Sequence, residues 1–400
     1  MNIIIVGGGL VGTLAAKTLR ELDQDVEIDV FGEERHPYYP RPNLIEYLAG
    51  RLPFEKLFAF PEGWADRQRI RLHLGEKVVR VDAARRRVET GSGSSLSSDA
   101  LLLATGARAA LPPIDGIDRK GVFVLRTLDD AQGLVEHLGE HKHVAVLGGG
   151  LLGLEIARAV RSREAEVCVY EFFDRLMPRQ LDPAAAAILK AQFERSGVRV
   201  RLGVVTKEIF GEGGVRGLRF ESGEAAADAV IVAAGIKPSL ELAREAGLVL
   251  SRGIAVDDRM RTSAPGIFAG GDAAEHQGRI YGIIPAAFEQ ARAAAYNMLG
   301  QDKPYGGTML SNTLKVAGMF LTSAGEIDAA GPGFESIVRS VPEEGLYKKL
   351  VLKEGRLVGA IWMGTKTGAS EISRLVALRK DVESRKADLL EDEFDFAEIL

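Results

Sequence analysis

The sequence predicts an α/β protein: two open parallel-sheet domains laid down in tandem, followed by a smaller C-terminal α+β domain. Three observations predict it. The apolar run Ile3-Ile4-Ile5-Val6 leads straight into Gly7-Gly8-Gly9-Leu10-Val11-Gly12, and the pattern returns as Val144-Ala145-Val146-Leu147 into Gly148-Gly149-Gly150-Leu151-Leu152-Gly153. Each copy opens a helical pattern, Leu10–Leu22 and Leu151–Arg161, followed by an apolar strand that stops at an acid. Those strands are Val26–Phe31 before Glu33, and Val167–Tyr170 before Glu171. Finally, Leu101–Gly106 and Val230–Gly235 are both buried-strand runs that end in a small residue and a glycine. Strands joined through a helix run parallel, so each unit calls for an open parallel sheet.

The remaining elements follow in chain order. Gly91–Ser98, rich in Gly and Ser, reads as an exposed turn inside the first sheet region. Gly266-Ile267-Phe268-Ala269-Gly270-Gly271-Asp272 is a third strand-to-glycine ending and precedes the helical pattern Ala286–Leu299. From about Ser311 the texture changes. Leu346–Leu352 and Arg356–Met363 read as a hairpin around Glu354-Gly355, then come a helix at Ser370–Arg379 and an acidic tail. The expected domains are 1–110 with 237–303, 111–236, and 304–400.

Composition bounds the function. The 400 residues are 46% hydrophobic and 27% charged, which is ordinary for a globular chain and unlike a disordered one. Glycine is in excess at 46 residues without a Gly-X-Y period, so it serves turns and close backbone approaches. The net charge of −5 argues against a nucleic-acid binder held by phosphate neutralisation. Small anionic cofactors stay open, because helix N-termini bind those without surplus lysine. The single cysteine, Cys168, excludes a disulfide within the sequence, a CxxC pair and a Cys-rich metal site. No basic, apolar leader precedes Ile3 and no apolar run reaches membrane-spanning length, so no membrane association is expected and the location is expected to be cytoplasmic.

The glycine spacing carries chemistry. In Gly-x-Gly-x-x-Gly the first glycine makes the tight turn, the second lets a pyrophosphate approach the backbone, and the third lets helix pack on strand. Phosphates then lie at the positive end of the helix dipole, and an acid on the next strand accepts from ribose hydroxyls. Gly7, Gly9, Leu10 and Gly12 make one such Rossmann-like site; Gly148, Gly150, Leu151 and Gly153 make the other. Glu171 is the ribose candidate in the second copy, and Phe172-Phe173 after it supply no arginine for a 2′-phosphate, which favours NAD over NADP. In the first copy Gly32 occupies the corresponding place, and either Glu33 or Glu34 can reach a ribose.

Two such folds with Thr105-Gly106 and Ala269-Gly270-Gly271-Asp272 resemble the flavoprotein reductases with two dinucleotide-binding domains. The resemblance implies FAD in the first fold and NADH in the second, with Gly235-Ile236 at the second strand end. It places Gly271 and Asp272 at the ribityl chain, Thr105 and Gly106 beside FAD, and Arg41 of Pro37–Pro42 at phosphate or adenosine. Arg126, in Leu125–Ala131, would touch FAD, Val78 would offer backbone bonds to adenine, and Ile284 opens the helix facing the flavin. Within that family the chain is most similar to NADH:rubredoxin reductases and the flavin part of nitrite reductase large subunits. Tyr38–Leu44, Leu314–Gly318, Gly325–Ile327, Tyr347–Leu352 and Leu357–Ala360 carry that likeness. With one cysteine the sequence offers no iron–sulfur or siroheme ligands, which weakens the nitrite reductase reading. One departure stands out. Relatives place a lysine near flavin N5, paired with the glutamate of a Gly-x-Glu; here Glu155 is present but Glu46 replaces the lysine. Two neighbouring carboxylates would raise at least one pKa.

The expected function is that of an FAD-dependent NADH oxidoreductase, taking hydride from NADH and passing electrons singly to a small carrier such as rubredoxin. The alternatives are a peroxide-forming NADH oxidase, with oxygen as acceptor, and an NADH-sensing flavoprotein like apoptosis-inducing factor. No side-chain base or nucleophile is required, and only Glu46 and Glu155 are candidates for places near the nicotinamide. Cys168, between Val167 and Val169, reads as a buried hydrophobe rather than a redox thiol. His137, His141 and His143 read as a solvated helix end, with no metal site expected. The acidic Glu391–Phe396 tail reads as surface rather than as a dock for a basic partner, and the C-terminal domain could supply an interface should the chain form a homodimer.

Overall fold

The computed structural model describes residues 1–139, 143–309, 311–316, 318–328, 331–391, 394–396 and 399; His141, Ala317, Asp392 and Glu393 lie outside them. The first apolar run becomes the strand Asn2–Val6, hydrogen-bonded in parallel to Glu27–Gly32 on one side and Ala100–Leu103 on the other. Ile70–Leu74 and Ile267–Ala269 complete this five-stranded sheet at its two edges. The second run becomes His143–Leu147, flanked in parallel by Glu166–Tyr170 and Ala229–Val232. Val198–Arg201 and Val122–Phe123 close that sheet. Both sheets have the same order about their central strand. They differ in where the outermost strand comes from: after the second sheet in the first case, before its glycine loop in the second.

Helices Leu10–Leu22 and Leu151–Arg161 follow the glycine loops as expected. Each is apolar on the face laid against its sheet, and burial of that stripe rather than helix propensity holds it. Arg20, 4% exposed in the last turn of the first helix, is satisfied by carbonyl oxygens of Asp23, Gln24, Val26, Gln68 and Arg69. A buried guanidinium so fully paired ties the helix end to the loops around it.

Each parallel sheet carries a three-stranded antiparallel sheet, Val78–Asp82 with Arg87–Thr90 and Ser95–Ser97, and Thr206–Phe210 with Gly217–Phe220 and Gly223–Ala226. Gly91–Ser98 therefore differs from its sequence reading: only 91–94 turn, and Ser95–Ser97 pairs as a strand whose alternation is masked by serine. The two halves are joined by a two-stranded ribbon, Ala107–Ala109 against Ile236–Pro238. The helix expected at Ala286–Leu299 starts two residues earlier, at Ile284–Met298, with Pro285 tolerated in its first turn. The C-terminal part is a five-stranded antiparallel sheet in which the hairpin Leu346–Lys353 and Arg356–Met363 is central, covered by helix Ala369–Ala377. Leu321, Tyr347, Ile361 and Met363 from this sheet share one buried core with Leu154, Ile156 and Phe193, and with Leu44, Ile45 and Leu48 of the short helix Asn43–Leu48. That helix is thus packed against the second half although its neighbours in sequence belong to the first.

Candidate functional site

The two glycine loops have the same physical design. A Cβ on Gly7 would lie 2.1 Å from the Ala104 carbonyl oxygen, and one on Gly148 would lie 2.5 Å from that of Ala233. A Cβ on Gly12 or Gly153 would lie about 2 Å from the carbonyl oxygen of Gly7 or Gly148. First and third glycines are therefore required by the protein's own packing. Gly9 and Gly150 are different: a Cβ on either meets nothing within 4 Å. Both are helix N-caps without a side-chain capping bond, at the start of helices of 13 and 11 residues. Free first-turn N–H groups thus face open space at two places, which fits a phosphate group at each.

The acids sort themselves by register. Gly7 N–H donates to Phe31 O and Gly148 N–H to Tyr170 O, which aligns Phe31 with Tyr170 and hence Gly32 with Glu171. Glu171 is buried, accepting from the Gly149 N–H and, at 2.8 Å, from the Phe173 N–H. It lies at the glycine loop itself. In the first half the acid is one or two residues further on, and its two candidates diverge. Glu34 is taken up by Arg41 and Tyr39, whose hydroxyl also accepts the Leu128 N–H at 2.8 Å. Burial pushes its carboxyl up, yet the bonds from Arg41 and Tyr39 hold it below the usual range. Glu33 is exposed and, among the described residues, paired only with the exposed Lys77, at 2.8 Å, so it is the more accessible of the two acids. Arg41 is correspondingly committed to Glu34. Val78 is buried by its side chain, which leaves only its backbone for contact.

Thr105, Gly106, Arg126, Gly271 and Asp272 come together at the carboxyl ends of Ala100–Leu103 and Ile267–Ala269. Arg126 Nη2 lies 2.9 Å from Asp272 and its Nε donates to Ala107 O at 2.9 Å. The Thr105 hydroxyl donates to Ser239 O at 2.9 Å, and Gly106 has a φ of +64°. Gly271 packs on Val11 and its N–H donates to Gln290 Oε1 at 2.8 Å, so helix Ile284–Met298 is tied to this cluster by its buried face. Its first residue, Ile284, is exposed, as is Ile236 beyond Gly235. Sequence reading missed Tyr39, Gln290 and Asp130. Asp130 was findable: with Thr127 it forms a capping box at helix Leu128–Leu138 and also receives the Arg126 N–H. Tyr39 and Gln290 act across long sequence separations and leave no local signal.

Glu46 stands in helix Asn43–Leu48 and Glu155 in helix Leu151–Arg161, and these helices pack together. Glu46 is held by Arg51 through two bonds, at 2.7 and 2.9 Å, with Arg158 at 3.9 Å. Burial, with the like charge of Glu46, pushes the Glu155 carboxyl up against the opposing pull of Arg158. Cys168 is buried in mid-strand and burial pushes its thiol up, which makes it inert. His137 faces the Asp228 carbonyl and His143 its carboxylate, and among the described residues no cluster of three metal-ligating side chains exists.

Residues 1–295 match the model of the pyridine nucleotide-disulphide oxidoreductases, and 311–380 that of the rubredoxin NAD+ reductase C-terminal domain. A nitrite reductase [NAD(P)H] of Bacillus subtilis is 35% identical over 98% of the chain. The chain spans about half the length of the nitrite and nitrate reductase relatives it matches, 49% and 51%. The ferredoxin–NAD(+) reductase component of the biphenyl dioxygenase system of Paraburkholderia xenovorans is 35% identical, covering 97% of this chain and 98% of its own. The crystal structure of NADH:rubredoxin oxidoreductase from Clostridium acetobutylicum superposes with a TM-score of 0.83, at 25% identity, over 97% of this chain and 98% of the other. Twin glycine cradles in one fold, a family model spanning 1–295 and these relatives agree: the chain belongs to the pyridine nucleotide-disulphide oxidoreductase family.

Proposed function

We propose that the chain is an FAD-dependent NADH oxidoreductase that passes electrons one at a time to a small carrier protein such as rubredoxin. The observation that carries this is the pair of open glycine cradles, each at a helix N-terminus and each within one strand of an acid. With one buried cysteine, no thiol pair within the chain takes part, so the disulphide chemistry in the family's name does not apply to its own residues. The match of 311–380 and the carrier reductases among the relatives support a carrier as acceptor.

In this reading residues 1–110 and 237–303 hold FAD, 111–236 hold NADH, and 304–400 form the third domain. Gly9 and Leu10 present N–H groups to the FAD pyrophosphate, Glu33 accepts from its ribose, and the Val78 backbone meets adenine. Thr105, Gly106, Arg126, Gly271 and Asp272 form the wall for its ribityl end, with Asp272 oriented by Arg126. The positive end of helix Ile284–Met298 favours negative charge on the ring. Gly150 and Leu151 receive the NADH pyrophosphate, Glu171 its ribose, and Gly235 and Ile236 flank the entry. Glu155, its carboxyl pushed up by burial, is a protonatable group on the helix that opens at the NADH cradle. Bound FAD supplies the exchange between two-electron and one-electron chemistry. The balance is one NADH and two oxidised carriers to NAD+, a proton and two reduced carriers. A cytoplasmic location suits a reaction that draws on NADH, and no helix among the described residues is long and apolar enough to cross a membrane.

The test is NADH consumption in air by the FAD-loaded protein, with and without rubredoxin, while peroxide is quantified. A many-fold rise with rubredoxin and little peroxide is expected. Peroxide equal to NADH consumed, with no rubredoxin effect, makes the protein an oxidase; negligible NADH turnover either way means that the acceptor is something else or that the protein is a sensor.

A further inference from the structure

We propose that the cleft between helix Leu10–Leu22 and segment 54–66 is a binding site for a small aromatic cation, separate from both dinucleotide sites. Trp64, Phe60 and their aromatic neighbours recognise its ring, and Glu55, Glu62 and Asp66 its charge. The inference goes beyond the carrier reading and needs no part of it.

The cleft holds about 660 Å³, within the ~300–1,000 Å³ of small-molecule pockets. Its floor is apolar, formed by Val30, Ile70 and Leu72 of the first parallel sheet. Thr13 and Ala16 of helix Leu10–Leu22 bound one side. The other side is aromatic: Tyr38, Phe54, Phe58, Phe60 and Trp64 all line it, and all five are only half-buried. Phe60 and Trp64 are stacked, with centroids 4.1 Å apart and 15° between the rings, and Phe54 meets Phe58 edge to face at 5.4 Å. The segment that carries them has only the short helical turns Phe54–Lys56 and Trp64–Arg67, yet it is pinned. Leu57 is fully buried, its carbonyl accepts from the Asn43 side chain at 3.1 Å, and the Ala59 N–H donates to Tyr38 O at 3.0 Å. Five aromatic side chains left half-buried around one cleft, on a segment held in place, are the composition of a binding site.

Charge selects the class of ligand. Glu55, Glu62 and Asp66 also line the cleft, all exposed and none in an ion pair among the described residues. Among the described residues that line it, none is a lysine, arginine or histidine. Arg67, next in the chain, is turned to the backbone, donating to Glu62 O at 3.0 Å. An anion would meet three like charges and no partner, whereas a ring bearing a positive charge gains both from the aromatic faces and from the carboxylates. The Tyr38 hydroxyl, without a hydrogen-bond partner among the described residues, adds one polar contact. Position separates the cleft from the cofactors, because none of the residues assigned above to FAD or NADH lines it. It adjoins the FAD half at Thr13, whose hydroxyl donates to Gly8 O at 3.1 Å in the glycine loop, and at Tyr38, next to the Tyr39 that closes on Glu34.

The experiment titrates the FAD-loaded protein with 2-naphthylmethylammonium and, separately, with 2-naphthoate, which has the same rings and the opposite charge, by isothermal titration calorimetry. Tryptophan fluorescence is followed in parallel; of the two tryptophans Trp362 is buried, so quenching reports on Trp64. We expect the cation to bind about tenfold or more tightly than the anion and to quench that fluorescence. The double variant Glu62→Gln with Asp66→Asn, at two exposed positions, should weaken cation binding about tenfold, and Trp64→Leu by a similar factor. Flavin content and NADH-to-ferricyanide turnover should stay within twofold of wild type, with Tm recorded for each variant. Raising ionic strength should weaken binding to wild type more than to the double variant. Anion bound as tightly as cation, or neither bound, overturns the proposal. Wild-type affinity in both variants puts the cation elsewhere and overturns it as well. Displacement of FAD by the cation assigns the cleft to the cofactor, which also overturns it. The carrier reading survives each of these results, because its own test turns on rubredoxin and none of these residues enters it.

Discussion

Gly9 and Gly12 lie three residues apart in one motif, yet the structure gives them different tasks, and alanine substitution separates them. On Gly12 a Cβ would stand 1.9 Å from the Gly7 carbonyl oxygen and 3.1 Å from an Ile5 methyl. Real Cβ contacts begin well beyond 3 Å, so helix Leu10–Leu22 must move off its strand by more than 1 Å. Overpacking of that kind costs about 3 kcal/mol or more. On Gly9 a Cβ meets nothing within 4 Å, and its φ of −76° suits any residue. Alanine there loses part of the N-cap preference, about 0.5–1 kcal/mol, and regains about as much from a stiffer unfolded chain. Gly9→Ala should therefore melt within a few degrees of wild type, but with its methyl in the phosphate approach it should purify with much less than one FAD per chain. Gly12→Ala should show a large fall in Tm. The assay is thermal melting with flavin quantified by absorbance after reconstitution. Full FAD occupancy in a normally stable Gly9→Ala would refute the cradle. The same pair in the second half, Gly150→Ala and Gly153→Ala, should leave FAD in place and raise the KM for NADH in the first case only.

Glu171→Gln replaces one of two oxygens that accept the Gly149 and Phe173 N–H groups with an amide donor; the KM for NADH should rise about tenfold with FAD content unchanged, and an unchanged KM removes Glu171 from the ribose site. Asp182 caps helix Pro183–Arg195 through the Ala185 N–H and receives Tyr347 at 2.6 Å and Lys349 at 3.0 Å from the C-terminal sheet. Asp182→Ala should cost roughly 3 kcal/mol, read by denaturant unfolding. Burial pushes this carboxyl up, but Tyr347, the Ala185 N–H and Lys349 prevail and hold it below the ordinary value of 3.8. Its contribution should thus be full above that value and disappear as pH falls through the lower folded one. Glu155 has the opposite sign: burial, then Glu46, raises its carboxyl above 4.5. It costs stability as pH rises through that raised value, so Glu155→Gln should melt roughly 1–3 °C above wild type at pH 8 and level with it near pH 4. A variant that melts lower at pH 8 contradicts that assignment.

What could be read from the sequence is what local backbone geometry demands. Glycine is forced at 12 and 153 by the carbonyl oxygens of Gly7 and Gly148 in the same turn, and at 7 and 148 by a positive φ as well as by the neighbouring strand ends at Ala104 and Ala233, so the motif announces itself and its repeat gives the second sheet. The acids show where that stops. Whether Glu33 or Glu34 is available depends on the register of Phe31 against Gly7 and on Arg41 and Tyr39 closing on Glu34, which is tertiary information. The same holds for Glu46. Its anomaly is visible in the sequence and Arg51 lies only five residues on, but its second neighbour, Arg158, becomes evident only once helix Asn43–Leu48 is packed against Leu151–Arg161. Gly91–Ser98 conceals a strand because serine at Ser95 and Ser97 lacks the β-branched signature by which an edge strand is recognised.

Thr105 brings these strands together, because it stands where the two halves are stapled. The ribbon of Ala107–Ala109 against Ile236–Pro238 carries the chain out of the first half and back. Just before it, the Thr105 hydroxyl donates to Ser239 O, and the Ser239 N–H donates to Gly106 O, both at 2.9 Å. A hydroxyl has one proton, and here it is spent on the ribbon, so Thr105 can offer a ligand only its lone pairs or its backbone. Thr105→Val keeps the shape and removes the donor. If the residue serves the crossing, the variant should lose about 1 kcal/mol of stability with FAD content unchanged. If instead flavin is lost while the melting curve stays in place, the hydroxyl turns toward the cofactor when FAD is bound, and the ribbon is held by its backbone ladder alone.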